Sequence, residues 1–153
     1  MRQPRTALGL LGLLAALGAG PACGPDVDPY VDLSLSLDPR TVPPNLAYVN
    51  VYVLLAVLPD NTPLDCEMFV GPGKTHTIYD FLTPEYRNVL VASASSSIDP
   101  SAASVLIPRL PEGLLVFVVD ALDGNQSHLA WGCGKGQIER GKKVLIPIFL
   151  EPG

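Results

Sequence analysis

The chain has 153 residues, of which 48% are hydrophobic and 16% charged, with 16 Pro and 14 Gly. So much apolar material with so little charge excludes an intrinsically disordered chain, and the composition is not that of a collagen. The formal charge of −5 argues against nucleic-acid phosphate as a partner.

Arg2 and Arg5 precede an uncharged, Leu-rich run over residues 7–20. As a helix this run reaches about 21 Å, short of the roughly 30 Å hydrocarbon core that a spanning helix must cross. It therefore reads as a signal peptide covering residues 1–22. Gly20-Pro21-Ala22-Cys23 sets small residues directly before a cysteine, and Gly24-Pro25-Asp26 cannot continue a helix. This junction resembles that of bacterial lipoproteins, in which the cysteine is diacylated and becomes the new N-terminus. The resemblance implies lipidation at Cys23, export, and anchorage to the bacterial cell envelope at the outer membrane. Ordinary signal-peptidase cleavage after Ala22 uses the same small residues and stays open. Cysteine parity bears on the choice. The chain has three Cys, and an oxidising compartment favours pairing Cys66 with Cys133, which leaves Cys23 alone. Lipidation would consume that lone thiol. Cleavage before Cys23 removes 22 residues and leaves 131, enough for one core. The leader carries two Arg and no acid, so −5 becomes −7 and the lipid chains, without a basic patch, would make the membrane contact.

Residues 23–30 then form the lipidated cysteine and a short tether, and residues 31–151 the folded domain. Val31, Leu33, Leu35 and Leu37 alternate with polar residues, which predicts a half-buried strand. Asp38-Pro39 and Pro43-Pro44-Asn45 punctuate a connection. A long second strand carries Val49, Val51, Val53, Leu55 and Val57 on one face and Tyr48, Asn50 and Tyr52 on the other. Pro59-Asp60-Asn61 stops it. A third strand is expected over residues 64–70, with Leu64, Cys66, Met68 and Val70 inward. Gly71-Pro72-Gly73 is a turn, residues 75–79 a short strand, Thr83-Pro84-Glu85 a single helical turn, residues 89–94 a further strand and residues 95–101 a loop. No long helix fits the mature chain.

Residues 104–110 and 114–122 flank Pro111-Glu112-Gly113 and are expected to pair as a hairpin. Asp120 is expected to face water, sending Phe117, Val119 and Ala121 to the core. The second arm is apolar on both faces, so it should be central, or covered by a loop or partner. Asp123-Gly124-Asn125 turns the chain into a strand where Leu129, Trp131 and Cys133 share a face. Gly134 and Gly136 loosen the connection that follows. Val144, Ile146, Ile148 and Leu150 close the domain, on an edge strand because Pro147 donates no ladder hydrogen bond. Together these elements predict an all-β fold, an antiparallel β-sandwich of seven to eight strands, with a Cys66–Cys133 disulfide crossing or pinning the core beside Trp131. Pro111-Glu112-Gly113, the arm ending Asp120-Ala121-Leu122-Asp123-Gly124-Asn125, Trp131-Gly132-Cys133 and the segment from Gly141 to Ile148 are similar to the last strands of transthyretin-like and carboxypeptidase-regulatory-like sandwiches. That resemblance implies an Ig-like, non-catalytic module for display, spacing or binding.

No motif specifies a reaction. Gly73-Lys74-Thr75 lacks the leading Gly of a phosphate loop and reads as a turn with an exposed Lys. His76 and His128 with the two Cys would complete a zinc set, but no close ligand pair exists in the spacing. Asp120, Asp123 and Asn125 are better explained by a turn than by calcium. The expected function is that of a lipid-anchored, non-enzymatic structural or protein-interaction module, without cofactor or metal, partnered by the membrane and an envelope protein. The alternative is a domain binding a glycan or small ligand, for which Tyr48, Asn50 and Tyr52 are the candidate face.

Overall fold

The structure, a computed structural model, describes residues 31–98, 104–140, 142 and 144–152. Cys23 and its tether lie outside them. Seven strands follow in chain order: β1 (Val31–Leu37), β2 (Tyr48–Leu55), β3 (Leu90–Ser97), β4 (Ser104–Leu110), β5 (Gly113–Leu122), β6 (His128–Ile138) and β7 (Leu145–Pro152). The all-β expectation holds. The strands form one sheet ordered β3-β2-β5-β6-β7-β1-β4, and its ends β3 and β4 come close to each other, so the sheet curls into an almost closed barrel. A four-stranded wall, β3-β2-β5-β6, faces a three-stranded wall, β7-β1-β4.

Period-2 alternation puts the core between these walls. Val49, Val51 and Val53 of β2 lie in register with Ala121, Val119 and Phe117 of β5, and all six are buried. Leu35 and Leu37 of β1, Val105 and Ile107 of β4, and Ile146, Ile148 and Leu150 of β7 close the other side of the same cluster.

Three expectations about pairing are corrected. The first is the purely antiparallel sheet: β1 and β7 pair in parallel, Leu35 opposite Ile146 and Leu37 opposite Ile148. Five strands intervene between them, so the long connection that a parallel pair requires is present. The second is the hairpin of β4 with β5. β4 pairs with β1, whereas β5 pairs with β2 and β6. The two residues between β4 and β5 form a corner from one wall to the other, bracketed by positive φ at Arg109 (61°) and Gly113 (135°). The third is the edge position of β7, which lies inside the sheet. Pro147 is tolerated because β6 pairs with residues 149–152 of β7 and β1 with residues 145–148, so Pro147 has a ladder on one side alone.

β6 also departs from expectation. Gly132, Gly134 and Gly136 belong to the strand and face inward, opposite Val119, Phe117 and Leu115. A Cβ on Gly134 would stand 2.6 Å from the side chains of both Ile146 and Ile148, and one on Gly132 or Gly136 would come within 2.5 Å of Ile148 or Ile146. The bare backbone of β6 thus lets β7 fold over it, the role of glycine at a barrel corner. At the other end of β6 the pairing slips between Ala121 and Leu122, so Leu129 packs with the inner core and no longer shares a face with Trp131 and Cys133.

This corner yields a prediction of unusual sign. Gly→Ala in a strand normally stabilises by lowering chain entropy, but Gly134→Ala should destabilise by about 1–3 kcal/mol because the methyl overpacks the core. Denaturant midpoints would show it, with Gly124→Ala as the neutral control, since nothing lies within 4 Å of a Cβ there.

Candidate functional site

β5 is buried on both faces. Its inward residues fill the barrel, while Val116 and Val118 point outward and are equally buried, at 0% and 1% exposure. Their cover is the chain between β2 and β3. Leu64, Phe69, Ile78, Phe81 and Val89 of this segment pack with Leu54, Val116, Val118 and Cys133 into a second apolar cluster outside the barrel. β5, expected to be central, or covered by a loop or partner, lies inside the sheet and is covered by a loop as well.

The strands expected over residues 64–70 and 75–79 are absent. Those residues carry 3-10 turns at Cys66–Met68 and Ile78–Leu82, and the single turn expected at Thr83 forms as Pro84–Tyr86. Backbone groups are satisfied locally: Phe69 N–H donates to Cys66 O at 2.9 Å, Asp80 N–H to Thr77 O at 3.2 Å, and the Asp80 carboxylate accepts from Thr77 N–H at 2.7 Å. Phe81 is the hub, its ring 5.3 Å from Phe69, 5.1 Å from Tyr86 and 5.7 Å from His76.

Cys66 and Cys133 are bonded to each other, with Cα atoms 5.4 Å apart. The pairing is as expected, but its place is not. Cys133 stands on the outward face of β6, in register with Val118, so the bond pins the cover to the sheet instead of crossing the core. Lys135, two residues on, makes a second tie, donating to Leu64 O at 3.0 Å and to the Asp65 carboxylate.

Beyond the cover the same outer face turns polar, and here the structure gathers the candidate residues. Ser95 of β3, Asn50 of β2, Asp120 of β5 and Trp131 of β6 form one cross-strand row; Ser97, Tyr48, Leu122 and His128 form the next. Ser95 Oγ donates to Asn50 Oδ1 at 2.7 Å. Asp120 does not face water: it is 3% exposed, and its carboxylate accepts from Nδ1 of His128 at 2.7 Å. A buried carboxylate requires such a partner. Trp131 is engaged by this chain's own groups, with His128 at 4.7 Å and tilted 35°, Tyr79 edge-on at 6.2 Å, and Lys74 Nζ 5.1 Å over the ring. A cleft of about 310 Å3 runs beside it, lined by Phe69, Pro72, Lys74, Glu151 and Pro152.

Tyr48, Asn50 and Tyr52 therefore share a face but not an environment. Tyr48 is 41% exposed, whereas Tyr52 packs under the cover. Burial raises the Tyr52 phenol above its ordinary value, and the charges of Asp120 and Tyr79 add to the shift. His76 and His128 sit in separate aromatic contacts, and among the described residues no three His, Cys, Asp or Glu converge to hold a metal ion. Asp123 closes its turn by accepting from Asn125 N–H and Ser127 N–H, both at 2.8 Å. Sequence reasoning missed Phe69, Ile78 and Phe81 as core, although their apolar character within a loop-like stretch marked them.

Two predictions follow from the cover. The Cys66–Cys133 bond closes a loop with a sequence separation of 67, so Cys66→Ala with Cys133→Ala should lower stability by about 4 kcal/mol in the chain-entropy model. Limited trypsin digestion of the double variant should cut first after Lys74 and Arg87, while the strands stay protected. Tyr52, with its folded pKa raised above the ordinary 10.0, contributes stability that is whole below that value and is lost as pH rises through the folded pKa. Tyr52→Phe should flatten the alkaline fall of the melting temperature and remove a component of tyrosinate absorbance that titrates above the ordinary tyrosine value.

Compared with known protein families, curated proteins and solved structures, the chain matches none.

Proposed function

We propose that the chain is an exported lipoprotein, anchored to the bacterial cell envelope through Cys23, whose barrel serves as a non-catalytic structural or protein-interaction module. The observation that carries this reading is the disulfide between Cys66 and Cys133. A cross-link so placed that it holds a cover over apolar sheet belongs to an oxidising compartment. It also accounts for two of the three cysteines, leaving Cys23, behind its leader, as the one to be acylated. The finer fold reading is a transthyretin-like sandwich, supported by the division of the sheet into walls of four and three strands around one core.

The glycan or small-ligand alternative draws less support from the same face. A sugar site needs bare aromatic surface and free polar groups. Here Tyr52 is covered, Asn50 Oδ1 already accepts from Ser95, and the Trp131 ring is flanked by Lys74, His128 and Tyr79. The non-catalytic reading draws on roles the polar groups already hold: Asp120 fixes His128, Asp123 closes a turn and Asp80 caps one.

Fractionation of the expressing cell tests the anchor. The wild-type protein should stay with membranes through high-salt and carbonate washes, and Cys23→Ser should move it to the soluble fraction, because two acyl chains supply an affinity that an acidic domain does not. Retention of the Cys23→Ser protein on washed membranes would overturn the reading.

A further inference from the structure

The two outer faces of the barrel differ. The four-stranded wall is covered by the segment between β2 and β3, but no described residue covers the outer face of the three-stranded wall. Leu106 of β4 is 64% exposed, Leu145 and Phe149 of β7 are 70% and 50% exposed, and Pro147 between them is exposed as well. Register brings three of them together: Leu106 and Leu145 both lie opposite Ser34 of β1, and Pro147 lies opposite Ser36, while Phe149 lies opposite Cys133 of β6, at the margin between the two walls. One exposed Leu needs no explanation, but three apolar residues on one wall with Phe149 at its margin mark a contact surface.

We infer that this wall rests on the lipid surface to which acylated Cys23 would hold the chain, an inference that depends on the anchoring reading above. The tether fixes the choice of occupant. β1 is the central strand of this wall and, among the described residues, the first strand after Cys23. Eight chain steps separate Cys23 from Val31, and at most ~3.6 Å each they span no more than about 29 Å, comparable with the width of one small domain. A domain so tightly leashed lies against the bilayer, and Leu106 and Leu145 stand level with Ser34, three positions from the leash. Charge does not drive the contact. At this end Arg140 and Lys142 are paired with Glu112 and Glu139, and the tether itself carries Asp26 and Asp28. Apolar side chains entering the headgroup boundary supply the attraction, so binding should be indifferent to anionic lipid.

The test uses the full lipidated protein reconstituted in phosphatidylcholine vesicles with brominated acyl chains. Three forms are compared: wild type, which reports Trp131; Leu145→Trp on the open wall; and Leu82→Trp, on the opposite side in the cover and 46% exposed. Leu145→Trp should lose about half of its added emission to bromine quenching, as expected of a group seated at the acyl boundary. Leu82→Trp should behave as wild type, and anionic phosphatidylglycerol should change neither result. Protein that floats with the vesicles but shows equal quenching at both positions overturns the docking while leaving the anchor intact. Failure to float overturns anchor and docking together. A dimer in sedimentation, with blue-shifted Leu145→Trp emission in detergent and no bromine quenching, assigns the wall to a second copy of the chain and overturns the inference.

Discussion

A strand with apolar side chains on both faces cannot stand at a protein surface, and β5 is such a strand. Leu115, Phe117 and Val119 fill the barrel, and Val116 and Val118 demand an equal burial outside it. Every unusual feature of the chain between β2 and β3 answers that demand. It brings Phe69, Ile78, Phe81 and Val89 over the sheet without forming a strand of its own, because its work is to cover a face, not to extend an edge. Short 3-10 turns suffice for its backbone, and the Cys66–Cys133 bond with the Lys135 contacts fixes its position. A small domain gains most from a cross-link in such a place, where local burial alone holds an irregular segment.

The barrel itself depends on steric absence. β6 must serve two walls, and it does so by presenting backbone where Ile146, Ile148 and Leu150 cross it. The same three glycines leave room for Phe117 and Val119 on the neighbouring strand. Beyond Cys133 the ladder to β7 ceases and β7 passes to β1, at the stretch where Pro147 has no second partner to disappoint. Sheet closure, the glycine row and the proline are therefore one device.

Strand by strand, much of this was legible. Alternation located β1, β2, β5 and β7 and most of their inward residues, because burial on one face imposes period two wherever the strand is regular; Leu55 and Val57, expected on the inner face of β2, are exposed, because the strand shifts register after Val53 and ends at Leu55. Pairing was not legible. Pro111-Glu112-Gly113 has the composition of a hairpin turn, yet local chemistry specifies only that the chain bends, and whether its arms pair depends on which wall each must complete. Leu64, Cys66, Met68 and Val70 alternate as a strand would, but alternation cannot tell a strand from a segment that covers a face. Asp120 was misplaced for a related reason. Charge argues for water unless a partner is supplied, and its partner, His128, arrives from the next strand after a bulge that no periodicity reveals. Of the candidate face, Tyr48, Asn50 and Tyr52 were placed on the correct side of β2. What separates exposed Tyr48 from covered Tyr52 is the reach of the cover, a property of residues more than ten positions away.

The polarity of the whole domain follows from where each wall sits in the chain. β1 is the centre of the three-stranded wall, and no described residue covers the exposed Leu106 and Leu145 side chains on either side of it. The four-stranded wall is built from strands whose outward residues are too apolar for water, and the chain covers them with its own longest connection. At the margin of that cover the face changes within one cross-strand row from Val118 and Cys133 to Asp120 and Trp131, where a buried carboxylate is affordable because His128 meets it. Any protein partner approaching this side would therefore meet the Tyr48 margin and the loop around Lys74, held in place by the disulfide, while the exposed Leu106 and Leu145 side chains face the other way.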